Sequence, residues 1–217
     1  MSFYSESQRG LQEQFDSVAL ADRMELGIIA TELTAEQAEF ITRLDFFFLS
    51  SVDADGAPTV SYKGGDVGVV RVLDDGLLAF PAYDGNGMFL SVGNIEDTAK
   101  IGMLFIDFET PQRLRVQATA SFDAHDTLMA EFPGSIGIVR AAIDQVFPNC
   151  ARYIHPHQRR GASSYVPASD GSQPLPSWKR IDVLQDVLSS DVQEAVADAG
   201  GVITGDEYGE RLRSGTS

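Results

Sequence analysis

The segment SYKGGDVG, residues 61–68, places a lysine among three glycines in a stretch that otherwise favours a β-strand. Glycine weakens strand packing, so such a cluster marks a bulge or a place where a ligand lies close to the backbone. Lys63 would add a positive charge beside that ligand. An irregular edge strand without any ligand is the alternative interpretation.

A second candidate is the segment PAYDGNGMFLSVGNI, residues 81–95, in which a loop rich in glycine and asparagine leads into a predicted helix start. The first N–H groups of a helix have no partner within the helix, and together with the helix dipole they favour an anion such as phosphate. Loops of this composition also precede helices that bind nothing.

Arg113 and Arg115 form a third candidate on the predicted strand 113–122. Alternation along a strand puts both side chains on one face, and two clustered arginines favour an anionic partner. Ion pairs with neighbouring Asp and Glu side chains are the alternative.

No set of residues makes a catalytic site by itself. Cys150 is a single cysteine, which is more often a small buried residue than a nucleophile. His155 and His157 lack a third ligand nearby, so a metal site is not predicted. The GxSxG, HExxH, CxxC and P-loop motifs are absent from the sequence. If the protein is an enzyme, a cofactor is therefore expected to supply the reactivity.

The composition excludes several classes of protein. The 217 residues carry 32 acidic against 16 basic side chains, a net charge of −16, which disfavours binding to nucleic acid. No apolar run is long enough for a transmembrane helix. The first residues lack the pattern of a signal peptide, so a cytoplasmic location without membrane association is expected.

The elements that would position these residues begin with helices over residues 5–44. Thr34 and Gln37 form a predicted capping box, followed by an apolar stripe of Ala38, Ile41 and Leu44. From Asp45 onward, short β-favouring segments alternate with tight turns, which predicts an antiparallel meander of at least six strands. The predicted strands are 46–52, 58–65, 67–73, 77–81, 100–108, 113–122 and 135–147.

Helical stretches are predicted at 88–95 and 126–132, and a loop-rich region spans 156–178. A helical appendage with Ile181, Leu184 and Leu188 on one face is expected to follow, capped through Ser190 with Gln193 and Thr204 with Glu207. The resulting divisions are an N-terminal helical segment, 1–44, a barrel domain, 45–155, and a C-terminal segment packed on the barrel, 156–217.

Several of these motifs, taken in order, resemble the flavin-nucleotide-binding branch of the pyridoxamine 5'-phosphate oxidase-like proteins. The motifs are FFFLSSVDADGAPTVSYKGGDVG, AFPAYDGNGMFLSVGNI, GMLFIDFETPQRLRVQATA and FPNCARYIH. The resemblance covers at least residues 40–160, and the terminal segments FYSESQRGLQEQFD and PSWKRID are similar to that branch too. The resemblance implies a mainly β protein with flanking helices (α+β), built on a six-stranded antiparallel split barrel. It also implies a homodimer that binds FMN in clefts between its subunits.

The same resemblance assigns site residues. The strand that lies along the flavin in relatives corresponds to Ser61, Tyr62, Lys63, Gly64, Gly65 and Asp66. The phosphate-binding turn and helix start correspond to Asn86, Gly87, Met88 and Ser91. Arg113, with Arg115 beside it, matches a flavin contact made across the subunit interface.

The chain departs from the oxidase at the phosphate-binding helix start, where Gly87 and Met88 replace an Arg-Lys pair. The anion would then be neutralised by Lys63, the arginines and backbone N–H groups. His155, His157 and Arg159 do not reproduce the oxidase's substrate-binding residues, so a substrate other than pyridoxamine 5'-phosphate is expected.

The leading hypothesis is therefore an FMN-dependent oxidoreductase acting on a small-molecule substrate or electron donor. Lys63 would stabilise negative charge that develops on the ring, and Tyr62 or Tyr83 would stack on the ring or the substrate. The alternatives are a flavin carrier or sensor without turnover, a split barrel that binds haem or a deazaflavin, and a protein with a purely interacting role.

Overall fold

A computed structural model describes residues 3–216 of the chain. Contacts between Cα atoms divide it into two compact units, one ending at Ala162 and the other beginning at Ser163. The predicted three-part division, with a C-terminal segment packed on the barrel, stays a prediction.

Three helices precede the sheet, as the apolar spacing predicts. They are α1 (Glu6–Gln14), α2 (Val18–Ile28) and α3 (Ala35–Thr42). The predicted capping box is confirmed, because Gln37 N donates to Thr34 Oγ1 at 3.2 Å and Thr34 N donates to Gln37 Oε1 at 3.0 Å. Ile41 in α3 is completely buried, so the helix covers one end of the core.

The centre of the fold is one antiparallel sheet with the strand order β2-β1-β5-β6-β7-β4-β3. Its strands are β1 (Phe46–Val52), β2 (Pro58–Gly64), β3 (Arg71–Asp74), β4 (Leu77–Tyr83), β5 (Lys100–Asp107), β6 (Gln112–Asp123) and β7 (Ser135–Asn149). The mainly β, antiparallel class is confirmed. The described residues contain seven strands rather than six, because β3 pairs with β4 as an added edge strand.

The sheet curls so that its inner face encloses the core. Phe47 of β1 lies second in the strand order and Phe80 of β4 lies sixth, yet their ring centroids are 5.0 Å apart. Both rings are almost completely buried. Such curling brings the two ends of the sheet close together, as in a barrel.

The predicted strand 67–73 is wrong over most of its length, because residues 65–70 form a loop and only β3 is extended. The loop is held to the connection between α3 and β1 by bonds from Gly65 N to the Asp45 carbonyl (2.8 Å) and from Gly68 N to the Leu44 carbonyl (2.9 Å). The side chains of Val69 and Val70 belong to this loop and are buried in the core. Burial of two valines within a turn explains why the sequence pattern is typical of a strand.

The predicted helix 88–95 occurs as α4 (Leu90–Thr98), shifted by two residues. Phe89 stands before it with φ 52°, a left-handed conformation that keeps Phe89 and Met88 outside the helix. The predicted helical stretch 126–132 is a 3-10 turn, Thr127–Glu131.

The second unit contains α5 (Ser190–Asp198) and α6 (Gly205–Ser214), preceded by the 3-10 turns Ser177–Arg180 and Asp182–Val187. The predicted helix with Ile181, Leu184 and Leu188 on one face is wrong, since the segment forms only those turns. The cap at Ser190 is also wrong: Ser189 is the N-cap of α5, without a side-chain bond. The capping box of Thr204 and Glu207 is confirmed.

Within residues 3–216, none of the helices combines the length and the apolar character that a membrane-spanning segment requires.

Candidate functional site

A cavity of about 350 Å³ lies in the first unit, where β2 at one end of the curled sheet approaches β4 and the start of α4. This volume falls in the lower part of the range of small-molecule sites. Seven of the twelve predicted site residues line it: Ser61, Tyr62, Lys63, Gly64, Asn86, Gly87 and Ser91.

The hairpin of β1 and β2 determines which side chains face the cavity. Ser61 lies opposite Leu49 and Lys63 lies opposite Phe47 in the register of the two strands. Since paired residues share a face of the sheet, Ser61 and Lys63 point to the same side as these two buried residues. Lys63 is therefore held against apolar walls at the edge of the core.

Lys63 is half-buried, and burial lowers the pKa of its amino group. Within residues 3–216, no carboxylate oxygen lies within 4.0 Å of the Lys63 amine, although the chain carries twice as many acidic as basic residues. A partly desolvated cation without a counterion favours binding of an anionic group.

The start of α4 forms the polar end of the cavity. Gly87 has φ 77° and Phe89 has φ 52°, and no side chain of the described residues caps the helix. Its first-turn N–H groups therefore have no side-chain acceptor, which leaves them available to an anion. Asn86 shapes the preceding loop by accepting a bond from Met88 N (3.1 Å) at Oδ1.

Tyr83 at the end of β4 also lines the cavity. Burial raises the pKa of its phenol, nearby Asp66 raises it further, and Arg71 lowers it. The side chain is consequently neutral at physiological pH and offers an O–H donor to a ligand.

Gly65, Asp66 and Met88 do not line the cavity. Gly64 at the end of β2 and Gly65 after it each avoid a clash with a neighbouring side chain. A Cβ on Gly64 would lie 2.8 Å from Cε1 of Tyr62, and one on Gly65 would lie 2.6 Å from Cγ2 of Val69. The absent side chains thus make room for neighbours in the same chain, a role that the prediction of a ligand against the backbone did not include.

Arg113 and Arg115 share one face of β6, as predicted, on the side opposite buried Leu114 and Val116. Neither lines the cavity of its own chain. Neither forms an ion pair within 4.0 Å among the described residues, so the alternative of local ion pairs is wrong. Nε of Arg113 is buried without a hydrogen-bond acceptor, beside the similarly unpaired Oδ1 of Asn149.

His155 and His157 are exposed. The ring of His157 meets Phe108 edge-on at 5.1 Å, and its backbone N–H donates to the Phe108 carbonyl at 3.0 Å. Arg159 pairs with Asp45 at 2.6 Å. These contacts attach residues 157–159 to the chain just after β5 and just before β1, and none of the three residues lines the cavity.

Sequence reasoning missed the apolar walls of the cavity, which are formed by Phe47, Leu49, Val69, Phe80, Ile95 and Val139 among others. Their pattern is that of ordinary core residues. The register of the β1–β2 hairpin is the signal that could have identified two of them, because it pairs Phe47 with Lys63 and Leu49 with Ser61.

The sequence profile of the pyridoxamine 5'-phosphate oxidase family matches residues 33–146, which is slightly more than half of the chain. The chain belongs to this family. The match runs from the residue before the cap of α3 to the last part of β7 and includes every predicted site residue.

Solved structures resemble this member of the family over about half of its length or more. They include HupZ from Group A Streptococcus, which is 20% identical over 54% of this chain and 93% of that chain, with a TM-score of 0.44. An FMN-binding protein from Syntrophomonas wolfei is 13% identical over 65% and 96% (TM-score 0.40), and the haem storage protein HutZ from Vibrio cholerae is 22% identical over 54% and 94% (TM-score 0.39). No curated protein matches the chain.

Proposed function

We propose that this protein binds FMN in the cavity between β2 and the start of α4 and acts as an FMN-dependent oxidoreductase. The observation that carries the proposal is Lys63, a half-buried cation without a carboxylate partner among the described residues, in a cavity with apolar walls. Family membership supports the same cofactor. When bound, a flavin supplies hydride or electron transfer, which the side chains of the cavity do not offer by themselves.

The residues of the cavity fit such a group. The apolar walls suit a flat ring system, whereas Ser61, Asn86 and the uncapped start of α4 suit a phosphate. Lys63 balances negative charge, and the neutral phenol of Tyr83 donates a hydrogen bond. The substrate is expected to differ from pyridoxamine 5'-phosphate, because His155, His157 and Arg159 do not reproduce the oxidase's substrate-binding residues.

A spectrum of the freshly purified protein tests the cofactor. Absorption bands of oxidised flavin, with FMN identified by mass analysis after heat release, are the expected result. A Soret band would indicate haem instead, and failure to bind added FMN, deazaflavin or haem would contradict a cofactor site.

A flavin carrier or sensor without turnover is the second candidate. The observation in its favour is that the cavity lining holds no histidine, cysteine or glutamate among the described residues, so its titratable side chains are limited to Tyr62, Lys63, Tyr83 and Asp84. Rapid reduction of the bound flavin by NADH or NADPH, followed by oxidation by a panel of small-molecule acceptors, would support the enzyme. A flavin that no donor reduces at a useful rate would support the carrier.

We also propose that the protein is a cytoplasmic homodimer in which Arg113 of one subunit serves the cavity of the other. Arg113 does not line the cavity of its own chain and has no acidic partner among residues 3–216. An unpaired guanidinium in so acidic a chain favours an anionic partner, and a second copy of the chain would bring one within reach.

FMN affinity is expected to fall as the pH rises through the pKa of Lys63 in the free protein. Burial puts this pKa below the ordinary lysine value of about 10.4. An anionic ligand raises the pKa of Lys63 again. Between the pKa of the free protein and that of the complex, FMN binding therefore takes up a proton, and FMN affinity falls by up to about tenfold per pH unit. Affinity is therefore highest below the free-protein pKa.

Titration of FMN fluorescence at successive pH values measures this effect, with the variant Lys63→Met as the control. Burial raises the pKa of Tyr62 and Tyr83 and lowers that of Lys63, so the shifts move the phenols and the amine apart. The variant should show weak affinity without this slope. Parallel slopes in both proteins would assign the titration to another group.

A further inference from the structure

Helix α4 is attached to β1 and β2 by polar side chains in addition to buried Ile95. Three of the four buried polar residues among those described lie where α4 meets these strands, a contact that we refer to as the polar seam: Ser51, Ser91 and Asn94. Asn94 Nδ2 donates to Ser51 Oγ at 3.0 Å, and the hydroxyl oxygens of Ser61 and Ser91 are 3.1 Å apart. At the far end of the helix, Thr98 Oγ1 donates to the Val52 carbonyl at 2.8 Å.

A polar seam fixes the position of a helix more strictly than an apolar one. An apolar stripe tolerates small displacements along a sheet, whereas a buried donor that loses its acceptor pays the full cost of desolvation. Displacing α4 along β1 would separate Asn94 from Ser51, and both residues are more than nine-tenths buried. The seam therefore holds α4 in a single position relative to β1 and β2.

That position decides where the uncapped start of α4 lies, because Leu90, Ser91 and Val92 line the cavity. Asn94 and Ser51 do not line it. Their contact is one helical turn beyond Ser91, so the pair influences a ligand only through the placement of the helix.

We infer that Asn94 and Ser51 are a positioning pair that holds the first turn of α4 at the cavity and thereby selects phosphorylated over unphosphorylated ligands. The inference rests on the proposed function, since it concerns the phosphate end of the FMN site. The ratio of the dissociation constants of riboflavin and FMN isolates this contribution, because the two ligands share the ring and differ by the phosphate.

The test compares this ratio in wild-type protein, Asn94→Leu, Ser51→Ala and the double variant. We expect Asn94→Leu to lower the ratio about tenfold, as loss of a well-placed helix start implies, with riboflavin affinity nearly unchanged. Ser51→Ala, the milder change, should lower it about threefold by the same route. In the double variant, stability in urea should recover, because no buried polar group is left unpaired, while the ratio should stay low.

The matched control is Ile41→Val, a modest destabilisation in α3 outside the cavity lining, which should leave the ratio unchanged. Equal losses of FMN and riboflavin affinity in Asn94→Leu would overturn the inference, as would a ratio restored along with stability in the double variant. A wild-type ratio near one would also overturn it. Wild-type protein that binds neither ligand would instead overturn the proposed function.

Discussion

Replacing Lys63 with methionine is expected to weaken FMN binding roughly 10- to 100-fold, the usual cost of losing a charge-assisted contact. Methionine keeps most of the apolar stem that packs near Phe47 and removes only the charge. Because the cation has no carboxylate partner within the described residues, its removal leaves no acidic group unpaired. The free energy of unfolding should therefore be unchanged or slightly higher.

Fluorescence titration with FMN and urea unfolding measure the two quantities separately. Lys100→Met is the matched control, because the Lys100 amine bonds to Thr119 Oγ1 (2.9 Å) and Asp144 (3.4 Å) away from the cavity. Its affinity for FMN should equal that of the wild type.

The reduction potential of bound FMN gives a second measurement on the same variant. A fixed cation beside the ring favours negative charge on it, so the potential should be lower in Lys63→Met than in wild-type protein. Unchanged affinity together with an unchanged potential would remove Lys63 from the site.

The local signals in the sequence identified much of the site because they arise from short-range constraints. A capping box depends on residues three apart, and the box at Thr34 is found as predicted. The loop before α4 and the lysine in β2 were recognisable for the same reason. That the two segments meet was implied only by the family resemblance, since their approach depends on curling of the whole sheet.

Other features were not accessible from local patterns. The glycines after Lys63 signal a close approach without naming what approaches, and here Tyr62 and Val69 fill the space. Val69 and Val70 are apolar enough for a strand, yet they reach the core from a loop that is bonded to the connection between α3 and β1. The contacts at the glycines are local, between residues two and four apart, whereas burial of the two valines is set by tertiary packing rather than by their own propensities.

A mixed dimer of two defective subunits is expected to regain one good FMN site if Arg113 acts across the interface. Arg113→Ala and Lys63→Met should each bind FMN weakly as homodimers, because every site lacks one cation. In the mixed dimer, one shared site lacks both cations and the other keeps both. About one FMN per dimer should then bind with wild-type affinity.

Co-expression of the two variants with different affinity tags, followed by sequential purification, yields the mixed dimer for titration. If Arg113 instead served the cavity of its own chain, every site in the mixed dimer would lack one cation and no tight binding would return. A doubly tagged dimer of Lys63→Met alone is the control, and it should stay weak. Failure to isolate any mixed species would contradict the shared site while leaving binding of FMN by a single chain open to the spectroscopic test.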